Sequence, residues 1–311
     1  MRNTQRPTAQ VARQKTLKTD ISCVGTGLHS GTKTRMTLRP AEPGTGIVFR
    51  RTDIAGSGDI PANYANVVDT RLCSRLANAD GASVATVEHL MSALAGLQVD
   101  NCAIEIDGPE VPAMDGSASP FVFLLDCAGI EEQAAPRRAI EVLEPIAVGG
   151  DGKKVVLEPA PGFRLSCMID FPSAAIARQS IEFALDPAAF REEVSRARTF
   201  GFAREVEQLR AAGLARGGSL DNAVVVDGDK VLNREGLRFP DEFVRHKLLD
   251  AIGDFYLAGA PMLCHVRAER GGHELNNAAL RALFARPSAW RMADLAEDMT
   301  AAASAGRRAA G

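Results

Sequence analysis

The sequence predicts an α+β fold of two domains, each a sheet backed by helices. Three observations predict it. Short strand-like runs are followed by a helical stretch twice along the chain. A break at Ala134–Arg138, containing Pro136, separates the two rounds. The 311 residues suit two medium cores better than one.

Taken in order, residues 1–15 are polar and aperiodic and read as a flexible tail. Ile21–Thr37 reads as a strand, a glycine turn at Gly25–Gly31 and a second strand. Met36–Leu38, Gly46–Arg50 and Asn101–Ile106 also read as strands. Thr86–Leu94 reads as a helix, with Thr86 as N-cap, Val87, Leu90, Met91 and Leu94 at helical spacing, and Gly96 closing it. A second helix, Ser119–Cys127, stops at Gly129. The pattern then restarts with strands at Ala139–Val148, Lys154–Glu158 and Leu165–Ile169 and a helix from Pro187 to Val194. A long helix follows over Asp241–Leu257. These elements divide the chain into a first domain, 16–136, a second, 137–298, and a frayed tail, 299–311.

Composition narrows the function. A net charge of -3 argues against nucleic acid as the main partner, because a phosphate-reading surface shows as basic excess. Six scattered cysteines without a C-x-x-C pair fit a reducing compartment. No run approaches the ~20 apolar residues of a membrane span, and the basic N-terminus lacks the apolar core of a signal peptide. A cytoplasmic monomer with no stable membrane insertion is expected.

The helix Asp241–Leu257 carries the strongest chemical signal. Val244, Leu248, Ala251, Ile252 and Phe255 form an apolar stripe, while His246, Asp250 and Asp254 recur every four residues on another face. His246 and Asp250 can bind one ion together, and imidazole with carboxylate is a usual zinc set. A solvated polar pair has the same spacing. His89 follows Glu88 in the first turn of an apolar helix, an arrangement that offers a metal ligand beside a base. A glutamate there also complements the helix dipole without any catalytic purpose. His273, behind Gly271 and Gly272, reads as a loop residue suited to a fourth ligand or a general acid. Ordinary surface loops share that composition. His265 lies in an apolar run and reads as structural. Asp107–Pro109 and Met114–Ser117 read as turns without chemistry.

Seven stretches resemble one family together: Gly25–Gly31, Thr86–Leu90, Asp115–Phe121, Ser195–Phe202, Gly217–Ser219, Phe239–Asp254 and Gly272–Asn277. They resemble the UDP-3-O-acyl-N-acetylglucosamine deacetylases of lipid A biosynthesis over roughly residues 14 to 295. The resemblance implies two similar α+β domains whose helices are sandwiched between two outer sheets. It also implies a Gram-negative source and a zinc-dependent hydrolysis of an acetamide on an acylated UDP-sugar. His89, His246 and Asp250 match the metal ligands, Glu88 the base and His273 the acid. Asp254 matches the acid's partner, and Thr199 and Lys247 match groups that stabilise charge. Phe200, Lys153, Asp170 and Phe171 match substrate contacts. Leu72 and Cys73 sit at the rim beside Arg71. Val206, Ala215, Gly218, Ser219 and Ala223 match an acyl passage. Two histidines and one carboxylate also suit iron(II). A hydrolase of another sugar amide and a non-catalytic nucleotide-lipid binder share the same residues; dependence on UDP and on the acyl group separates the first, and tolerance of changes at Glu88 and His273 the second.

Overall fold

In the computed structural model, which describes residues 11–296, two main sheets enclose the main helices. The first sheet has five strands in the spatial order Ile21–Thr26, Lys33–Pro40, Cys102–Ile106, Ile47–Arg51 and Ile60–Pro61. Its alternation is clean: Lys33–Pro40 buries Thr34, Met36 and Leu38 and exposes Lys33 and Arg35, as a sheet with one wet face requires. The second sheet has seven strands built around Met262–Glu269. That strand runs parallel to Phe163–Asp170 and Arg138–Val142 and antiparallel to Lys153–Pro159. Strands of the first sheet all precede residue 137, and those of the second all follow it.

Between the sheets lie the helices Glu88–Gly96, Ser119–Ala128, Glu242–Tyr256 and His273–Phe284, while Ala203–Ala211 is a surface helix beside a small separate sheet. Ser119–Ala128 contacts the strand Ile21–Thr26, and Glu242–Tyr256 contacts Phe163–Asp170 and Arg178–Ala184. The helices Glu88–Gly96 and Glu242–Tyr256 face each other in the middle, giving the layer order sheet, helices, helices, sheet. Every residue of Glu88–Gly96 is buried, so the helix has no polar stripe, and its few polar groups are taken inside with it. At Gly253 the approach leaves no room for a side chain: a Cβ would stand 2.0 Å from the Glu88 carbonyl oxygen. At Gly96 a Cβ would enter the Phe190 ring at 2.3 Å.

Several expectations are corrected. Arg13–Leu17 is not tail but a strand antiparallel to Ile130–Pro136. Its partner comes more than a hundred residues later, so no local pattern reveals it. Residues 1–10 and the tail 299–311 lie outside the described residues. Thr86 is not a cap. It has φ 57° and its Oγ donates to Glu110, while the helix starts at Glu88 after Val87. Gly96 is the last helical residue, chosen for Phe190 rather than for a left-handed turn. The run Ala139–Val148 is two strands, Arg138–Val142 and Ile146–Gly150, separated at Pro145, which has no N–H for a ladder. Pro187–Val194 is one α-turn followed by a π-turn. The helices Ala203–Ala211 and His273–Phe284 were not anticipated.

Gly253→Ala forces a methyl group against backbone and should lower unfolding free energy by at least ~2 kcal/mol, measured by urea denaturation. An unchanged midpoint would mean that the two helices slide apart freely at this point.

Candidate metal centre

Two helices supply the centre. His89 projects from the first turn of Glu88–Gly96, and His246 and Asp250 from successive turns of Glu242–Tyr256. All three are buried, and one ligand atom from each lies within 4.8 Å of the others. The imidazole Nε2 atoms of His89 and His246 stand 3.4 and 3.3 Å from Asp250 Oδ1. His246 Nδ1 donates to the Ala197 carbonyl at 3.1 Å, so its Nε2 presents a lone pair. Burial and the neighbouring His89 and Lys247 push its pKa down to about 3 against the pull of Asp250. Asp250 Oδ1 is buried and has no hydrogen-bond partner among the described residues. An unpaired carboxylate oxygen facing two imidazole nitrogens is costly without a cation, and the set fits a zinc-type ion. Burial opposes ionising Asp250, but His246, Lys247 and His89 hold its carboxyl well below the usual carboxylate range. Lys247 Nζ donates to Asp250 Oδ2 at 2.9 Å.

Two buried titratable groups flank the triad. Glu88 is 3% exposed, and burial pushes its carboxyl up against the pull of His273 and His89. It sits in the first turn of its helix, where it also complements the dipole, but it is held inside rather than on a solvated surface. His273 opens the helix His273–Phe284 rather than sitting in a loop, and its Nδ1 donates to Asp254 Oδ2 at 2.8 Å. Burial alone would lower the imidazole pKa. The carboxylates of Asp254, Glu88 and Asp250 outweigh it, and the pKa is pushed up to about 9.

A cavity of about 450 Å³ opens from the triad. It brings together Glu88, His89, Thr199, Phe200, His246, Lys247, Asp250 and His273, and, farther out, Leu72, Val206, Ala215, Gly218, Ser219 and Ala223. Asp254 stands behind His273. Cys73 lines an adjoining cavity of about 400 Å³, shared with Leu72 and His29. Lys153, Asp170 and Phe171 are not among the residues lining either cavity. Lys153 and Asp170 are exposed strand ends, and Phe171 packs edge-on against Phe200 at 5.7 Å.

Sequence reasoning missed the supports. Arg198 and Glu242, 2% and 0% exposed at their side chains, pair at 2.9 Å, and Glu242 also accepts the backbone N–H groups of Arg198 and Arg238. This pins Ala197–Thr199 to the start of the helix carrying His246. The Met114–Ser117 turn, read as devoid of chemistry, holds Thr199 from the other side: the Gly116 carbonyl accepts its N–H at 2.8 Å. Glu110, 1% exposed, accepts from Thr86 and from the backbone of His29 and Ser30, fixing the Gly25–Gly31 turn at the cavity wall. Isolated charges such as these carry no local signal. The helix His273–Phe284 did carry one, since Asn276, Ala279, Leu280 and Leu283 recur at its buried spacing.

Residues 14–285 match the family model described as UDP-3-O-acyl N-acetylglycosamine deacetylase. The chain is 53% identical over 290 residues to a UDP-3-O-acyl-N-acetylglucosamine deacetylase of Phenylobacterium zucineum, covering 93% of this chain and 99% of that one. It is similar, at 54% over 287 residues, to the protein of the same name from Acidithiobacillus ferrooxidans, covering 92% and 94%. For the one from Idiomarina loihiensis the identity is 49% over 292 residues, covering 93% and 95%.

The raised pKa of His273 has a direct test. Its contribution to stability is complete below the ordinary 6.5 and is lost as pH rises through about 9. In metal-free protein, NMR titration should find the His273 ring protonated to about 9, and Asp254→Asn should bring that down by ~1 unit or more. A ring that titrates near 6.5 in both proteins would remove Asp254 as its partner.

Proposed function

The chain belongs to the UDP-3-O-acyl N-acetylglycosamine deacetylase family and is a deacetylase of lipid A biosynthesis, and we propose that its chemistry runs on zinc held by His89, His246 and Asp250. The substrate is the acylated UDP-N-acetylglucosamine, and the products are acetate and the free amine. The observation that carries the metal assignment is the unpartnered Asp250 Oδ1 between two imidazole nitrogens. Zinc bound there would supply Lewis acidity, polarising both a water and the acetamide carbonyl.

The residues divide the remaining work. Glu88, buried and with its carboxyl pushed up by desolvation, takes the proton of the attacking water. Thr199, fixed between Gly116 and Val224, offers its hydroxyl to the oxygen on which charge develops. His273, kept protonated by Asp254, gives its proton to the departing amine. Lys247, 5.7 Å from the Phe200 ring centroid, keeps a positive charge at the cavity wall. Leu72, Val206, Ala215, Gly218, Ser219 and Ala223 shelter the acyl chain, and Lys153, Asp170 and Phe171 meet the nucleotide. Residues 16–136 and 137–298 act as two domains of a monomer. The setting is the cytoplasm of a Gram-negative bacterium, which agrees with the lack of any helix, among the described residues, long and apolar enough to cross a membrane.

Purified protein should contain about one zinc per chain and release acetate from UDP-3-O-acyl-N-acetylglucosamine, and His246→Ala should lose both. Metal analysis finding iron instead would reassign the ion, and full activity in His246→Ala would sink the centre altogether. Glu88→Gln should keep the metal yet slow turnover by about 100- to 10,000-fold. Ala215→Trp, which places a large ring in the cavity, should shift preference toward shorter acyl chains, read from kcat/KM across a chain-length series. A preference that ignores the substitution would put the acyl chain elsewhere.

A further inference from the structure

Ser74 immediately precedes the strand Arg75–Ala77, on a different element from the metal-ligand candidates and the acid–base groups, and is 2% exposed. Its backbone N–H donates to Glu88 Oε2 at 3.0 Å. Its Oγ donates to Asp254 Oδ1 at 2.6 Å, across 180 residues of sequence. Its carbonyl accepts the N–H of Val87, the residue before the helix that carries Glu88, at 3.3 Å. Buried serines commonly bond a carbonyl in their own helix or turn. This one uses all three polar groups on the parts that hold the base and the acid's partner.

The consequences for each carboxylate differ. Among the described residues, Ser74 provides the only hydrogen bond to the Glu88 carboxylate; with Oε2 occupied, Oε1 is left to receive a proton. Asp254 accepts three donors: Ser74 on Oδ1, and His273 and Asn276 on Oδ2. Ser74 therefore occupies the oxygen that His273 does not use and fixes the rotation of the carboxylate about its own axis. We infer that Ser74 is a positioning residue that holds Glu88 and the Asp254–His273 pair in one register across the two central helices. The inference rests on the acid–base roles proposed above.

The test is a double-mutant cycle on zinc-loaded full-length protein, measuring acetate release with metal content and melting temperature recorded for each variant. Ser74→Ala keeps the backbone N–H and removes only the hydroxyl. It should lower kcat between about 10- and 100-fold with KM and zinc content held, the scale of a misplaced reacting group. Ser74→Thr, which restores a hydroxyl, should recover most of the loss. In an Asp254→Ala background, which removes the acceptor, Ser74→Ala should cost little more, because each change breaks the same hydrogen bond. Independent, multiplying losses would overturn the inference, as would loss of zinc or folding in Ser74→Ala that Ser74→Thr does not rescue. An Asp254→Ala protein with undiminished turnover would instead overturn the acid–base reading itself. Slowing by Asp254→Ala with an unaffected Ser74→Ala would overturn the role of Ser74 alone.

Discussion

The contact at Gly253 governs the molecule. Two helices from opposite sheets meet there with no side chain between them, because a Cβ would overlap the Glu88 carbonyl. Glu88 begins one helix, and Gly253 stands between Asp250 and Asp254 on the other. This close contact thus lies beside the residues proposed to handle metal and protons. A glycine costs about 1 kcal/mol in a helix interior. Here that cost accompanies a contact in which a Cβ would overlap backbone, on the stretch of helix where His89 stands 3.4 Å from Asp250.

Bringing so many ionisable groups into an apolar core is unfavourable unless each is paired. The pairing is thorough around Asp254 and Glu242, which accept hydrogen bonds on both oxygens. It is incomplete at Asp250, where one oxygen is satisfied by Lys247 and the other is left facing the imidazoles. Buried ion pairs such as Arg198–Glu242 are weak sources of stability compared with well-packed apolar groups. Their directional bonds fix the strand-like segment at Ala197–Thr199 and, through the Ala197 carbonyl, the rotation of the His246 ring.

Much of this was legible in the sequence where one element carries the pattern. The helix over Glu242–Tyr256 shows its apolar stripe and its four-residue polar repeat directly, and the observed bounds differ by one residue at each end from those expected. The glycine turn after Ile21 and the stop at Gly129 are read the same way. What escaped depends on partners distant in the chain. Arg13–Leu17 needs Ile130–Pro136, Ser74 needs Asp254, and Thr86 is drawn out of helical geometry by Glu110. The alternative that depended on exposure, a solvated His–Asp pair, could be judged only once burial around both helices was known.

The order of the centre's residues along the chain has a consequence for synthesis. Glu88 and His89 are made more than a hundred and fifty residues before His246 and Asp250. During that interval the first sheet can close around its own core, but its histidine has neither of the two other donors beside it. A lone imidazole holds a metal ion weakly compared with three converging ligands. With the ligands proposed above, the nascent chain would be inert as a hydrolase and a poor scavenger of metal until the helix carrying His246 and Asp250 emerges. Capture of an ion by these proposed ligands would then be one of the late steps of folding, coupled to the docking of the second half on the first.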